Sequence, residues 1–437
     1  MKKILLFFLL LGSAYEVSAD YLIVGRAATI KDQPNGSATI IDRVDEGEIL
    51  LLLETTQSPT GYFKVKHPNH HTTGWIYRSL VRRHEGSPPG FPEEIVSAGS
   101  GGDLMVTVLD VGPGLCTIIK LPDGRYIVYD LGHWRGSGMS VYAQIAEVIP
   151  PGSPIELVVL SHTDSDHIGA AGPVFENYRV KKVLYTGYEK SMITTASDAP
   201  SGTYQRLVDA IDNVTYPLEA INLHEKDSII TPGTTLKFGV VRLVFLCGFG
   251  EPLNEWGLGA TDYSKRINAV SIVMKAEYAG KSILFGGDAV GRFDGKPAND
   301  LQATEKFLVE KASQWLNSDI VISPHHGADN GGSTAFINAT SPEYLIFSAG
   351  HDFEHPRQTT ADRYLLAGVR LENIFRTDRG DDESEAGKPD KEWTQGRIDG
   401  CKDSYGDDDV IITITADGSK RVKYKNANAL CVEEIDE

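Results

Sequence analysis

Four side chains able to bind a metal crowd into one short stretch of this chain. His162, Asp164, Asp166 and His167 all lie in VVLSHTDSDHIG, directly after the apolar run Leu157–Leu160. Imidazole nitrogen and carboxylate oxygen hold borderline divalent cations, and a surface loop has little reason to carry both at this density. The strand ends here and the chain turns. Alternation then places His162 and Asp164 on one side, while Asp166 and His167 face a neighbouring position, so one segment can feed two adjacent cations. A pair of cations about 3.5–4 Å apart also needs a bridging group and ligands from other strands. Asp288, closing SILFGGD, and His326, in DIVISPHHG, sit at apolar strand ends as well.

Such ends need buried strands behind them. From Leu104 onward the sequence supplies MVTVLDV, CTIIKL, YIVYDL and ELVVLSH, with a short helix expected over Val141–Val148. RLVFLC, AVSIVMKAEY, KSILFGGD, DIVISPHH and EYLIFSAG follow, and Gln302–Leu316 carries apolar residues at helical spacing. Apolar strands alternating with helices predict an α/β layered architecture.

Residues 21–83 read differently. YLIVG, SATIIDRV, EILLLLET, YFKVKH and GWIYRSLV are five short β-rich runs separated by turn residues such as Gln33-Pro34-Asn35-Gly36, which predicts a small β barrel. His67, His70 and His71 fall in its KHPNHHTTG loop and read as exposed loop residues. Residues 84–102, rich in Gly, Pro and Ser, read as a linker.

At the N-terminus, Lys2 and Lys3, the apolar run Ile4–Leu11 and Val17-Ser18-Ala19 predict a cleaved signal peptide over residues 1–19. That run is too short to span a bilayer, which takes about 20 residues. The expectation is an exported protein, periplasmic or secreted, with no membrane span after cleavage. An oxidising compartment would let Cys401 and Cys431 pair; Cys116 and Cys247 sit in apolar surroundings that suit buried thiols equally well. The formal net charge of −18 argues against broad adhesion to nucleic acid or anionic membranes. Much of it lies in residues 379–409, an acidic insertion read as solvated, with a calcium loop as the alternative.

In their order, His162-x-Asp164-x-Asp166-His167, Gly287-Asp288 and Pro324-His325-His326-Gly327 resemble the metallo-β-lactamase superfamily, above all the hydrolase domain of ComEC-type competence proteins. That branch has Asp where the superfamily has its second His, as Asp164 stands here. Asp110-Val111-Gly112-Pro113-Gly114, Asp130 with Gly132, Asn268 with Ser271, Glu305, His355-Pro356 and Arg376-Thr377-Asp378 extend the resemblance from about Leu104 to Tyr424. It implies an αββα sandwich over residues 103–437 and metal-dependent hydrolysis.

In this resemblance His162 and Asp164 would bind a first cation, and Asp166, His167 and His326 a second, with Asp288 bridging. Two divalent ions, zinc first and manganese tolerated, would bring the pKa of a shared water near neutrality for attack on phosphorus or carbonyl carbon. Asp166, His325 and His355 are the residues implied in catalysis, the two imidazoles standing outside the metal shell and contacting substrate or the leaving oxygen. A further ligand to the first cation has no clear counterpart; Asn268 lies in the right region, and His224 is a weaker alternative. The roles of His133 and His351 stay open. The implied substrate is a phosphodiester, with DNA foremost. An ester or lactone hydrolase, or a cell-wall phosphocholine-type esterase, is the alternative. Residues 20–83 resemble bacterial SH3-like domains, which implies binding of cell-wall glycan or peptide.

Overall fold

Alternation with period two decides which layer each strand residue joins. The computed structural model describes residues 21–52, 57–67, 72–84, 102–132, 141–193, 202–293, 296–297, 299–350, 355–377 and 408–425. The chain divides into two units, residues 1–99 and 100–437.

The first unit holds β1 (Tyr21–Val24), β2 (Ala28–Lys31), β3 (Ile40–Val44), β4 (Ile49–Leu52), β5 (Tyr62–Lys66), β6 (Thr73–Tyr77) and β7 (Val81–His84). They pair in the order β3-β2-β6-β5-β4-β1-β7 around Leu22, Val24, Ile30, Leu50, Val65 and Ile76. Five apolar runs become seven strands for two reasons. The four-residue ATIK is too short to stand out, and a 3-10 turn at Arg78–Leu80 splits GWIYRSLV. His67 is buried, with Nε2 3.6 Å from Glu48 Oε2, so it is not the exposed loop residue expected. His70 and His71 lie outside the described residues.

In the second unit, β8 (Leu104–Val108), β9 (Cys116–Lys120), β10 (Tyr126–Leu131), β11 (Ile155–Leu160), β12 (Lys182–Tyr185) and β13 (Glu219–Asn222) begin one sheet. A second sheet runs in chain order through β14 (Thr234–Phe238), β15 (Val241–Cys247), β16 (Val273–Tyr278), β17 (Lys281–Phe285), β18 (Ile320–Ile322), β19 (Tyr344–Phe347) and β20 (Ile374–Arg376). The chain then returns to the first sheet as β21 (Val410–Ile414) and β22 (Lys420–Tyr424), giving the order β13-β12-β11-β10-β9-β8-β21-β22.

Leu157 and Val159 of β11 meet Ile283 and Phe285 of β17 in the core between the sheets. The alternate residues point outward. Val158 and Leu160 pack beneath α1 (Val141–Val148), α2 (Ser165–Ile168), α3 (Ala171–Asn177) and α4 (Gly202–Asp212). Leu284 packs beneath α5 (Tyr263–Ala269), α6 (Ala303–Lys311), α7 (Ser313–Leu316), α8 (Thr334–Thr340) and α9 (Gln358–Leu366). The result is helix, sheet, sheet, helix: an αββα sandwich. The helix expected across Gln302–Leu316 is two, because buried Ala312 leaves helical geometry at φ −121° and ψ 10°.

Strands β10, β11 and β12 run parallel, as do β17, β18, β19 and β20. Parallel strands deliver their carboxyl ends, and the loops that follow, to one edge of a sheet. The two sheets are tied together near that edge. Ser161 O accepts from Ile272 N at 2.9 Å, and Tyr129 Oη donates to Ile272 O at 2.6 Å. Residues 1–20, read as a signal peptide over 1–19, residues 85–101, Cys401, Cys431 and residues 379–407 of the acidic insertion lie outside the described residues. Cys116 and Cys247 are buried free thiols.

Candidate metal centre

Loops leaving β10, β11, β17 and β18 converge on one cluster. His162 follows β11, Asp164 precedes α2, and the single turn of α2 carries Asp166 and His167. Asp288 follows β17 through Gly286 and Gly287. A Cβ on Gly287, at φ +50°, would meet Ser161 Cβ at 2.8 Å, so a glycine is needed for this loop to approach the β11 segment. Asp130 (φ 60°), His325 (φ 49°) and His326 (φ 54°) take left-handed backbone conformations. These cost about 1–2 kcal/mol each in an L-residue, and such strain gathers at functional sites.

Hydrogen bonds on the far side of each ring set which nitrogen faces the cluster. His326 Nδ1 donates to Ser348 O at 2.7 Å, leaving its Nε2 as a lone pair. His167 Nδ1 meets Asp130 Oδ2 at 2.8 Å. Ser161 Oγ donates to Asp130 Oδ2 at 2.8 Å and so accepts from His162 Nδ1 at 3.0 Å. Three Nε2 atoms therefore turn inward, where Asp288 meets them with both oxygens. Oδ1 lies 3.1 Å from His167 Nε2 and 3.5 Å from His326 Nε2. Oδ2 lies 3.7 Å from His162 Nε2 and 3.6 Å from His325 Nε2.

This donor set fits divalent cations. Asp166, His167, Asp288 and His326 each offer one ligand atom, all within 4.8 Å of one another. The Nε2 atoms of His167 and His326 face each other at 3.1 Å, close enough for one cation to take both in place of the proton between them. Buried His162 Nε2 and Asp288 Oδ1 make no hydrogen bond among the described residues, and Asp164 Oδ2 lies 3.7 Å from His162 Nε2. Imidazole and carboxylate together suit zinc or manganese.

The electrostatics carry the same demand. Burial opposes the charged forms, yet His167, His326, His325 and His162 hold Asp288 well below the usual carboxylate range. Burial likewise opposes protonation of His167, but Asp288, Asp130 and Asp166 raise it well above the ordinary imidazole value. Burial and then His167 push His162 down to about 3, so it is already in its ligand form at neutral pH. Burial, with Asp166 and Asp288, raises Asp164 to about 8, although its side chain keeps 36% of its surface exposed.

All six expected ligands thus gather at one edge, and His325 and His355 line the same cavity of about 330 Å³. Asn268 lies beside them. With its amide nitrogen on Asp164 Oδ2 (3.1 Å) and Ser264 O (2.9 Å), its oxygen faces His325 Nε2 at 3.2 Å. His224 stands with Gly250, Glu251 and Tyr188, none of them in the cluster. His133 and His351 lie outside the described residues. Burial raises Glu305 to about 7; it accepts from Gly332 N (2.7 Å) and Ser333 N (2.8 Å), anchoring the loop beyond His326.

Asp130 is the residue whose role the sequence reading missed. Fully buried, it orients His167 directly and His162 through Ser161, accepting from Ser161 N at 2.6 Å. A carboxylate inside the apolar run YIVYDL was the available signal. Asp130→Asn should weaken metal affinity about 10–100-fold, the usual scale for a residue behind a ligand. Titration of metal-free protein against a competing chelator measures it, and unchanged affinity would remove Asp130 from the site.

The family model of the metallo-beta-lactamase superfamily matches residues 109–351, and the chain belongs to that superfamily. It is 32% identical over 297 residues to competence protein ComA of Neisseria gonorrhoeae, a match covering 66% of this chain and 33% of that protein. Over 74 residues it is 39% identical to recombination protein 2 of Haemophilus influenzae, covering 17% of this chain and 9% of the relative. The chain thus spans about a third of the first relative and a tenth of the second.

Among solved structures, a variant of CmlA beta-hydroxylase aligns at TM-score 0.35 and 14% identity, over 63% of this chain and 52% of that one. A metallo beta lactamase from Hirschia baltica aligns at TM-score 0.27 and 17% identity, over 52% and 87%. The fold and donor set are those of a metal-dependent hydrolase. The relatives correct one expectation. An exported, periplasmic or secreted location rested on the leader alone, and kinship with a competence protein and a recombination protein overturns it. No helix among the described residues is long and apolar enough to cross a membrane.

Proposed function

We propose that this hydrolase cleaves phosphodiesters, with DNA the favoured polymer. The observation that carries the reading is the placement of two imidazoles outside the expected ligand set, His325 and His355, on the wall of the cavity that Asp288 also lines. Relatives named for competence and recombination support nucleic acid. A phosphodiester gathers negative charge on its equatorial oxygens at the transition state, so it profits from more hydrogen-bond donors than a lactone carbonyl needs.

His162, Asp164 and Asp288 Oδ2 would hold one divalent cation, and Asp166, His167, His326 and Asp288 Oδ1 the other. When bound, such cations supply Lewis acidity and make water a nucleophile near neutral pH. The residues around them do the rest. Asp166, held below the usual carboxylate range against its burial by His167 and His326, would orient the attacking water by accepting a hydrogen bond from it. His325 points Nε2 towards the reacting centre, its Nδ1 held on Asn330 Oδ1 at 2.5 Å. Burial, with His325 and His326, pushes His355 down to about 3. It is therefore neutral near pH 7 and serves as a hydrogen-bond donor to a phosphoryl oxygen, not as a cationic acid.

The test is a panel of bis(p-nitrophenyl) phosphate, DNA and lactones, assayed with zinc or manganese. Phosphodiesters should turn over, and His355→Ala should keep its metal while kcat on them falls about 10²-fold, as for loss of one positioned donor. Rapid lactone hydrolysis, inert phosphodiesters and indifference to His355→Ala would overturn the reading.

A further inference from the structure

Beside the cavity mouth, α5 and the turn Lys190–Met192 build a rim that the hydrolytic chemistry leaves unused. Ser264 and Asn268 of α5 form part of the cavity wall. The rim is fastened to the ligand segment, because Thr163 Oγ1 donates to Tyr188 O at 2.6 Å and Arg266 holds the Tyr188 hydroxyl at 3.0 Å. Lys190 is exposed, and its ammonium lies 5.6 Å from the centroid of the Tyr263 ring, a cation–π contact. Its charge reaches Asp164 in the cavity wall.

The carboxylates next to Tyr263 and Lys190 in sequence are engaged elsewhere. Asp262 pairs with Lys265 Nζ at 2.8 Å and caps α5 through Lys265 N at 3.3 Å. Buried Glu189 accepts from Ser191 N at 3.0 Å. Lys190 forms no ion pair with an acidic side chain among the described residues, in a chain whose net charge is −18. Next to it Met192 exposes 44% of its surface. A cation, an aromatic ring and an apolar side chain thus share one rim.

We propose that Lys190 and Tyr263 form a flanking subsite that takes the next phosphate and base along a single-stranded oligodeoxynucleotide. This rests on the phosphodiester reading above and adds a length requirement to it. An ammonium binds phosphate as a compact point charge. A base stacks on an aromatic or apolar surface whatever its identity, provided it is not locked in a duplex. A small diester has neither group to offer, so the rim separates polymer from monomer.

The experiment compares full-length wild type, Lys190→Ala and Tyr263→Ala on a single-stranded oligodeoxynucleotide and on bis(p-nitrophenyl) phosphate. Each variant should raise KM for the oligonucleotide about tenfold while kcat changes less than about twofold, the scale of one lost phosphate or stacking contact. Lys190→Ala should also flatten the dependence of log(kcat/KM) on log[salt] by about 0.7, whereas Lys190→Arg should restore it. Wild-type cleavage of the oligonucleotide with both variants unchanged in KM and salt slope would overturn the subsite and leave the phosphodiester reading standing. A KM raised equally for the small diester would overturn it too. Failure of wild type to cleave either substrate would remove both readings.

Discussion

Asp288→Ala should lose most of its bound metal and at least about 10³-fold in kcat/KM. The expectation follows from which groups each oxygen serves. Oδ1 faces His167 and His326, Oδ2 faces His162 and His325, and the separations all lie between 3.1 and 3.7 Å. One substitution therefore strips an anionic ligand from both halves of the cluster. Several kcal/mol of transition-state stabilisation ride on such cations, and each 1.36 kcal/mol is a factor of ten in rate. Removing the carboxylate also takes away the anion that the Nε2 atoms of His167 and His326, 3.1 Å apart, share. Metal analysis of the wild type should approach about two equivalents, with the variant below about one. Asp288→Asn serves as the control for volume, since it keeps the side-chain shape and removes the charge. Circular dichroism separates loss of metal from loss of fold. A folded Asp288→Ala protein with full metal content and activity would show that Asp288 bridges nothing.

Much of this centre could be read from residue order, and what escaped has a physical cause. His162 to His167 declares itself because four polar ligands follow a fully apolar strand, a pattern that core packing never requires. Asp288 and His326 were legible for the same reason, each ending a strand whose alternate residues fill two different layers. Asp130 stood in the resemblance as a motif position, but its role did not show, because it forms part of strand β10 itself and its partner His167 is 37 residues away in sequence. Only the parallel pairing of β10 with β11 brings the two together. The left-handed backbones of Asp130, His325 and His326 were equally hidden, since nothing in PHHG or YDLG distinguishes a strained turn from an ordinary one. In the N-terminal unit, Ala28–Lys31 escaped because four residues give too little alternation to register. Localisation failed for a different reason: a leader-like run speaks of the first residues only, and kinship over the hydrolase region carried information that the run could not.

Metal affinity should rise steeply with pH, and the sign can be worked out group by group. Without a cation, His167 carries a proton across neutral pH, because Asp288, Asp130 and Asp166 outweigh the burial that would remove it. Asp164, raised to about 8 by burial and by Asp166 and Asp288, carries another. Both must lose that proton to act as ligands, so cation binding expels it, and lowering the pH drives the cation out. His162, at about 3, has no proton to give in this range. Each proton released makes the apparent Kd tighten about tenfold per pH unit while the pH stays below that group's pKa in the metal-free protein. Between pH 6 and pH 8 the Kd for zinc should therefore fall by at least about 10²-fold, and by more where Asp164 also contributes. Above pH 8 the Asp164 contribution fades and the slope drops. Competition with a chromophoric chelator at pH 6, 7 and 8, corrected for the chelator's own protonation, measures the slope. Asp164→Asn should lower it by up to about one proton, because an amide has no proton to release in this range. A Kd independent of pH across these points would mean that the cluster binds its cation without displacing protons, and that His167 and Asp164 are not among its ligands.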